Sequence, residues 1–143
     1  MERRIVDASV AAKWFFEEEL QGQALALYRR LKDKEIEVIV PDLFYIEMAS
    51  ICRERIRRKM IRSHEASRIF KELIDIPLQR YSDYELSDIA LENAVQFGIS
   101  VYDAIYLSLA EIYVAPLVTA DELLIKSCHR KFDFILPLRE FGK

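Results

Sequence analysis

Four carboxylates stand at positions where an acidic side chain can do chemistry. Asp7 follows the apolar pair Ile5-Val6 of "RRIV" and Asp121 follows "PLVTA", so each lies where a predicted strand passes into a predicted helix. Glu47 lies inside "PDLFYIEMASI" and Asp103 inside "VYDAIYLSLAEIYV", two predicted helices rich in apolar residues. Taken one at a time, the two strand-end aspartates are better explained as helix N-caps, because Asp is favoured at that position.

Glu47 is harder to explain as a cap. Asp42 already stands where this helix begins, and we predict that it supplies the N-cap. At helical spacing Glu47 shares a row with Leu43 and Ile51, so its side chain is predicted to face the apolar side of the helix. A lone carboxylate there is costly to desolvate without a partner.

Asp103 has two explanations that the sequence leaves open. It aligns with Tyr106 and Leu107 on an almost wholly apolar helix, but it is also a candidate cap for that helix.

Considered together, the four carboxylates point to a bound cation, because two unit charges about 4 Å apart repel by about 4 kcal/mol at an effective dielectric near 20. Oxygen ligands without His or Cys suit Mg²⁺ or Mn²⁺ rather than zinc.

Other catalytic chemistries lack their residues. His64 and His129 are isolated, which argues against a histidine metal site or a Ser-His-Asp triad. Cys52 and Cys128 match no zinc spacing and are predicted to be buried thiols. A dehalogenase-type phosphatase needs a second Asp two residues after the first, where this chain has Ser9. A receiver domain needs an acidic pair before its phospho-acceptor and a late Lys, an arrangement that the chain does not offer convincingly.

The elements that must position these carboxylates alternate between strand and helix. The predicted strands are "RRIV", "IEVIV" up to Pro41, an edge strand "IDIPLQ" containing Pro77, "APLVT" and "FDFIL". The predicted helices between them are "ASVAAKWFF", "QGQALALYRRLKDK", "LFYIEMASICRERIRRKM", "SHEASRIFKELI", "SDYELSDIALENAVQF" ending at Gly98, "YDAIYLSLAEIYV" and "DELLIKSCHRKF". This alternation predicts a mainly parallel α/β sheet, whose working site lies at the carboxyl ends of the strands near the switch in strand order.

Length and composition predict one ordered domain over residues 1–143. Hydrophobic residues make up 52% and charged residues 31% of the chain. The net charge of −3 argues against a generally basic nucleic-acid-binding surface, although a local one is compatible with it. The apolar runs are far shorter than a membrane-spanning helix and no signal sequence precedes Ile5, so we expect no membrane association and a cytoplasmic location.

The four carboxylate motifs also form a known pattern. In their order and spacing, "IVDASV", "VPDLFYIEMASI", "YDAIYLSLAE" and "LVTADELL" resemble the PIN-domain ribonucleases, and most of all the prokaryotic toxins of the VapC type. The resemblance runs from about Ile5 to Leu136. It implies a three-layer α/β/α sandwich with a central parallel sheet of about five strands. It also implies Mg²⁺- or Mn²⁺-dependent cleavage of RNA, usually a homodimer, and an antitoxin protein as partner.

The resemblance assigns site residues one by one. The family's acidic positions fall on Asp7, Glu47, Asp103 and Asp121. We predict that Asp7 and Asp103 bind the metal ion directly, and that the other two hold its water ligands or a second ion. Ser9 and Thr119 match hydroxyl positions that support the acidic pocket in the family. The expected products carry a 5′-phosphate and a 3′-hydroxyl.

A basic stretch, "CRERIRRKMIR", follows Glu47 on the same predicted helix. We predict that Arg53, Arg57 and Arg58 contact RNA phosphates from the rim of the pocket. The alternative is a solvated helix end, where cations suit the helix dipole. The small size favours a toxin, while an RNA-processing nuclease and a catalytically silent module of the same fold remain as alternatives.

Overall fold

A five-stranded parallel sheet forms the centre of the computed structural model, which describes residues 1–128 and 131–142. Its strands are β1 (Glu2–Val6), β2 (Ile36–Pro41), β3 (Gln79–Tyr81), β4 (Leu117–Thr119) and β5 (Ile135–Pro137). They lie side by side in the order β3-β2-β1-β4-β5, with Ile5 paired to Ile39 on one side of β1 and Val6 paired to Val118 on the other. The predicted parallel sheet is confirmed, and β1 lies at its middle.

Seven α-helices surround the sheet in the described part of the chain. They are α1 (Ala8–Phe15), α2 (Gln21–Lys32), α3 (Leu43–Arg57), α4 (Ser63–Asp75), α5 (Asp83–Phe97), α6 (Val101–Tyr113) and α7 (Glu122–Cys128), with a short 3-10 turn at Leu138–Glu140. The predicted last helix, "DELLIKSCHRKF", includes His129 and Arg130, which lie outside the described residues. Over residues 1–128 and 131–142, none of the helices is both long enough and apolar enough to span a membrane.

Two hydrophobic cores lie on opposite faces of the sheet. Neighbouring strand residues alternate between them: Ile5 and Leu117 pack with α5, α6 and α7, whereas Val6 and Val118 pack with α1, α2 and α3 and with Leu73 of α4. This is the period-two alternation expected of strands that are covered on both faces. The predicted three-layer α/β/α sandwich is therefore confirmed.

The edge strand β3 begins later in the chain than predicted, at the last residue of "IDIPLQ". The chain has helix up to Asp75, and Ile76 is an extended residue that ends α4. Pro77 lacks a backbone N–H and precedes the strand rather than lying inside it. β3 pairs with β2 alone among the described strands, so the predicted edge position is confirmed while the predicted range is wrong.

The ends of α3 also differ from the prediction. Asp42 makes no side-chain capping bond, and the Leu43 amide donates instead to Asp83 Oδ1 at 3.1 Å, from the start of α5. The helix ends at Arg57 because Lys59 adopts a left-handed conformation with φ of 60°. A helix cap here comes from a residue 40 positions away, which local sequence spacing does not reveal.

Helix α6 is fixed to α5 by a buried polar contact. Asn93 of α5 donates its side-chain amide to Ser108 Oγ at 3.0 Å and to Glu111 Oε1 at 2.6 Å. Gly98 ends α5 in the left-handed conformation, with φ of 66°, as predicted. These contacts set the position of α6, whose first two turns carry Asp103 and Tyr106.

Candidate functional site

A cavity of about 350 Å³ opens at the carboxyl ends of β1 and β4. This is the point where the strand order reverses, which is the usual position of ligand sites in open α/β sheets. The four predicted carboxylates line it from separate elements of the fold, and we call it the acidic cavity. Its other polar lining comes from Ser9, Ser50, Glu54 and Tyr106.

Asp7 is the most buried of the four carboxylates. It ends β1 and caps α1: Oδ1 accepts from Ser9 Oγ at 2.6 Å and from the Val10 amide at 3.3 Å, and Oδ2 accepts from the Thr119 hydroxyl. Burial raises the pKa of Asp7 to about 6, against the effect of these hydrogen bonds, and repulsion from Asp121 adds to the rise. Asp7 therefore serves as a cap and lines the cavity at once.

Ser9 and Thr119 join the ends of β1 and β4. Each hydroxyl donates to Asp7, while Ser9 Oγ accepts from the Ala120 amide and Thr119 Oγ1 from the Asp121 amide, both at 3.1 Å. Thr119 is fully buried. The two hydroxyls therefore hold the Asp7 carboxylate and the chain before Asp121 in one arrangement, which is consistent with the supporting position predicted for them.

Asp121 caps α7, as the sequence allowed. Its Oδ1 accepts from the backbone amides of Leu123 at 3.0 Å and Leu124 at 3.2 Å. The half-buried carboxylate also lines the acidic cavity. Like Asp7, Asp121 therefore caps a helix and lines the cavity.

Asp103 does not cap its helix, so that explanation is wrong. Ser100 is the N-cap of α6, and its Oγ accepts from the Asp103 amide at 3.0 Å. The Asp103 carboxylate is half-buried in the first turn, where it lines the cavity. Burial raises the pKa of Asp103, repulsion from Asp121 raises it further, and the contact with Ser100 opposes the shift.

Glu47 projects from α3 into the cavity and is held there by Tyr106. The Tyr106 hydroxyl donates to Glu47 Oε1 at 2.5 Å, and the tyrosine side chain is buried. Burial raises the pKa of Glu47, the Tyr106 hydrogen bond lowers it, and the charges of Asp7 and Asp103 raise it again. Sequence reasoning gave Tyr106 no role, although its three-residue spacing from Asp103 places both on one face of α6.

The acidic cavity offers a cation only oxygen ligands. In the described part of the chain, no group of three or more Asp, Glu, His or Cys side chains converges closely enough to hold an ion by itself. Mg²⁺ is commonly bound by one or two carboxylates and several waters, a mode that carboxylates spread around a solvent-filled cavity allow. The donor set therefore fits Mg²⁺ or Mn²⁺, and it does not fit zinc.

The three arginines predicted to contact RNA are placed differently from one another. Arg58 lines a second cavity beside the acidic one, and Arg53 lines an apolar groove between α3 and α4. Arg57 is exposed and pairs with Glu54, with Nε donating to Oε2 at 2.9 Å. Within the described part of the chain, none of these three side chains lines the acidic cavity itself.

Solved structures share this fold along most of the chain. A crystal structure of PAE2754 from Pyrobaculum aerophilum matches with a TM-score of 0.71 and 24% identity, over 96% of this chain and 92% of that one. The crystal structure of VapBC2 from Rickettsia felis, bound to a DNA fragment from their promoter, matches with a TM-score of 0.61 and 13% identity, over 94% and 96%. A toxin-antitoxin complex from Klebsiella pneumoniae has the same TM-score and identity, over 85% and 89%.

Sequence comparison defines the family. The chain is 34% identical to Ribonuclease VapC3 from Pyrobaculum aerophilum over 122 residues, which are 84% of this chain and 90% of that protein. Residues 4–128 match the family model described as the PIN domain. This range contains all four carboxylates of the acidic cavity. The chain therefore belongs to the PIN-domain family.

Proposed function

We propose that this protein is a metal-dependent endoribonuclease that hydrolyses RNA phosphodiester bonds, and that it acts as the toxin of a type II toxin–antitoxin pair. The observation that carries the proposal is the meeting of Asp7, Glu47, Asp103 and Asp121, from four separate elements, in one cavity at the switch in strand order. The 34% identity to Ribonuclease VapC3 supports RNA as the substrate. The fold shared with a toxin-antitoxin complex supports the toxin role.

Mg²⁺ or Mn²⁺ is the proposed cofactor. Asp7 and Asp103 are the proposed direct ligands, and Glu47 and Asp121 are proposed to hold water ligands or a second ion. When bound, such an ion activates water as a nucleophile and offsets negative charge on the phosphoryl group that is transferred. Burial, together with repulsion between neighbouring carboxylates, raises the pKa values of Asp7, Glu47 and Asp103. A cation bound among them would favour their charged forms, which supports the assignment.

The protein's own contribution is to orient the carboxylates before RNA arrives. Ser9 and Thr119 hold both oxygens of Asp7, so this side chain has one defined direction. Tyr106 holds one oxygen of Glu47, and its own position is set by burial in the core. Groups that are fixed in this way need little reorganisation when charge develops during the reaction.

A homodimer, a cognate antitoxin and a cytoplasmic location complete the proposal. Large apolar side chains on α5, including Leu91 at 58% and Val95 at 78% exposure, leave an apolar outer surface of the kind that protein partners cover. Light scattering in the presence and absence of the protein encoded by the neighbouring gene tests both associations.

A Mn²⁺ titration with a panel of structured RNAs tests the activity. The parent is expected to cleave at least one RNA as Mn²⁺ is added, with 5′-phosphate and 3′-hydroxyl products, while a folded Asp7→Asn variant does not cleave. If the parent and Asp7→Asn cleave equally fast, the site assignment is wrong. If neither protein cleaves any RNA while binding its partner, the protein is a silent module of the same fold.

A further inference from the structure

A second cavity, of about 360 Å³, adjoins the acidic cavity and shares Ser9, Ile51 and Glu54 with it. Its other charged lining residues are Lys13 of α1, Glu18 of the following loop, Arg55 near the end of α3, and Arg58 just after it. We call it the basic cavity, because its cations outnumber its carboxylates. Two cavities of opposite charge therefore share one wall.

One carboxylate fixes two of the cations. Lys13 Nζ donates to Glu18 Oε1 at 3.1 Å, and Arg55 Nη2 donates to Glu18 Oε2. The Arg55 guanidinium also lies over the Phe16 ring, 4.0 Å from its centroid. Because one negative charge faces two positive ones, the group retains a net positive charge with unused N–H donors, which suits an anionic ligand.

The remaining charges favour an anion as well. Arg58 is exposed and adds a third cation to the lining. Glu54 stands between the two cavities, but it is paired with Arg57, whose side chain donates to both of its carboxylate oxygens. This pairing reduces the repulsion that Glu54 exerts on an anion passing from one cavity to the other.

A single ligand that occupies both cavities must present one group to a metal-binding carboxylate cluster and an anion to the cations next to it. RNA meets both requirements because its backbone repeats a phosphate at every nucleotide. We propose that the basic cavity binds the backbone phosphate next to the one that is cleaved, through Arg58, Arg55 and Lys13. The inference rests on the proposed ribonuclease function, and it extends the RNA-binding surface from the acidic cavity to the basic one.

RNA binding measured against salt concentration tests the subsite. In an Asp7→Asn background, which separates binding from cleavage, a single-stranded RNA oligonucleotide is titrated at several salt concentrations. Arg58→Ala and Lys13→Met are each expected to reduce the slope of log K against log salt, by at most about 0.7, because the three cations contact one phosphate and 0.7 is the value for one neutralised phosphate on a single strand. Arg29→Ala, which removes an exposed cation from α2, is the matched control and is expected to keep the slope.

Two outcomes would overturn the inference. In the first, Arg53→Ala or Arg57→Ala reduces the slope while Arg58→Ala and Lys13→Met do not, so the RNA follows another face of α3. In the second, the variants leave RNA binding unchanged and weaken binding of an oligo-glutamate peptide, so the cavity receives an acidic protein segment. Neither outcome affects the cleavage test of the parent protein, so failure of the subsite is distinguishable from failure of the ribonuclease function.

Neutral phosphate analogues locate the contact. After the cleaved bond has been mapped with the parent, single methylphosphonates are placed at each neighbouring position of the RNA. A methylphosphonate at one adjacent position is expected to weaken RNA binding to the protein that retains Arg58. The same analogue is expected to have little further effect on RNA binding to Arg58→Ala. Equal and additive losses at every position would contradict a subsite for one phosphate.

Discussion

The two adjoining cavities share a wall, but their carboxylates differ in whether they are paired with cations. In the basic cavity the Glu18 carboxylate has a cation on each oxygen. In the acidic cavity the carboxylates are surrounded by hydroxyls, backbone amides and one another, and the pKa values of Asp7, Glu47 and Asp103 are all raised, with burial as the largest cause. Buried carboxylates that have no cationic partner mark a candidate functional site, whereas a carboxylate paired with cations is equally compatible with a structural role.

The comparison has a direct consequence for mutagenesis. Neutralising a carboxylate in the acidic cavity removes a repulsion together with a proposed metal ligand, so it should favour the metal-free fold and abolish the proposed activity. Neutralising Glu18 in the basic cavity removes an attraction, so it should destabilise the fold.

The largest effect is expected on cleavage. Asp7→Asn and Asp103→Asn should each reduce RNA cleavage by more than the 10- to 100-fold that is typical of removing a partner of a metal ligand, because these side chains are the proposed ligands themselves. Initial rates at saturating Mn²⁺ provide the measurement. Asp88→Asn, at an exposed position of α5, is the control and should cleave like the parent.

The next effect is a pH-dependent stability that separates the parent from Asp7→Asn. Burial raises the pKa of Asp7 from 3.8 to about 6, so the folded state favours the protonated form. Its stabilising contribution is fully present below pH 3.8 and is lost as the pH rises through about 6, a change of about 3 kcal/mol in the free energy of unfolding.

Urea unfolding in EDTA at pH 4 and pH 7 measures this change. From pH 4 to pH 7 the parent should lose stability relative to Asp7→Asn. Saturating Mn²⁺ at pH 7 should stabilise the parent but not the variant. A difference between the two proteins that stays constant with pH would contradict the account of Asp7 as an uncompensated buried carboxylate.

A smaller effect is expected from the support of Glu47. Tyr106→Phe keeps the buried ring and removes the hydroxyl that donates to Glu47, so Mn²⁺ affinity should fall by about tenfold, the lower end of the range for partners of metal ligands. Free Mn²⁺ is quantified by electron paramagnetic resonance. Tyr102→Phe, on the exposed side of α6, is the matched control, and an equal loss in both variants would remove the special role of Tyr106.

The smallest effect tests the basic cavity. Glu18→Gln should lower the free energy of unfolding at pH 7 by about 1 kcal/mol, because Lys13 and Arg55 lose their shared carboxylate at a partly buried position. Glu17→Gln, at an exposed neighbouring position, should stay within about 0.5 kcal/mol of the parent. If Glu18→Gln is stabilising, the two cavities do not differ in the way described.

Most of the fold was predictable from the sequence, because strands and helices follow from local patterns of apolar residues. The capping contact that was predicted wrongly depends on two distant elements. Asp42 was expected to cap α3, but Asp83 bonds the Leu43 amide from the start of another helix. Asp103 was a candidate cap, and the local signal that decides against it is Ser100, a favoured N-cap residue three positions earlier.

The four carboxylates of the candidate site were also identified from the sequence, since their order and spacing match a family pattern. Their supporting contacts were identified only where a residue type matched that pattern, as with Ser9 and Thr119. Tyr106 was overlooked because a tyrosine on an apolar helix face is well explained by the core. Lys13 was overlooked, and Arg55 was noted only as part of the basic stretch "CRERIRRKMIR", because their shared arrangement depends on Glu18 and on the cavity that they line.

The sequence alone determined which residues carry charge, which segments form strands and helices, and that acidic side chains follow the strands. These properties are local, and each is encoded within a few neighbouring residues. Only the tertiary structure decided that Asp7, Glu47, Asp103 and Asp121 line one cavity, and that cations line the cavity beside it. Burial and charge compensation depend on groups that are distant in the chain and close in space, so they exist only after the sheet and its helices have packed.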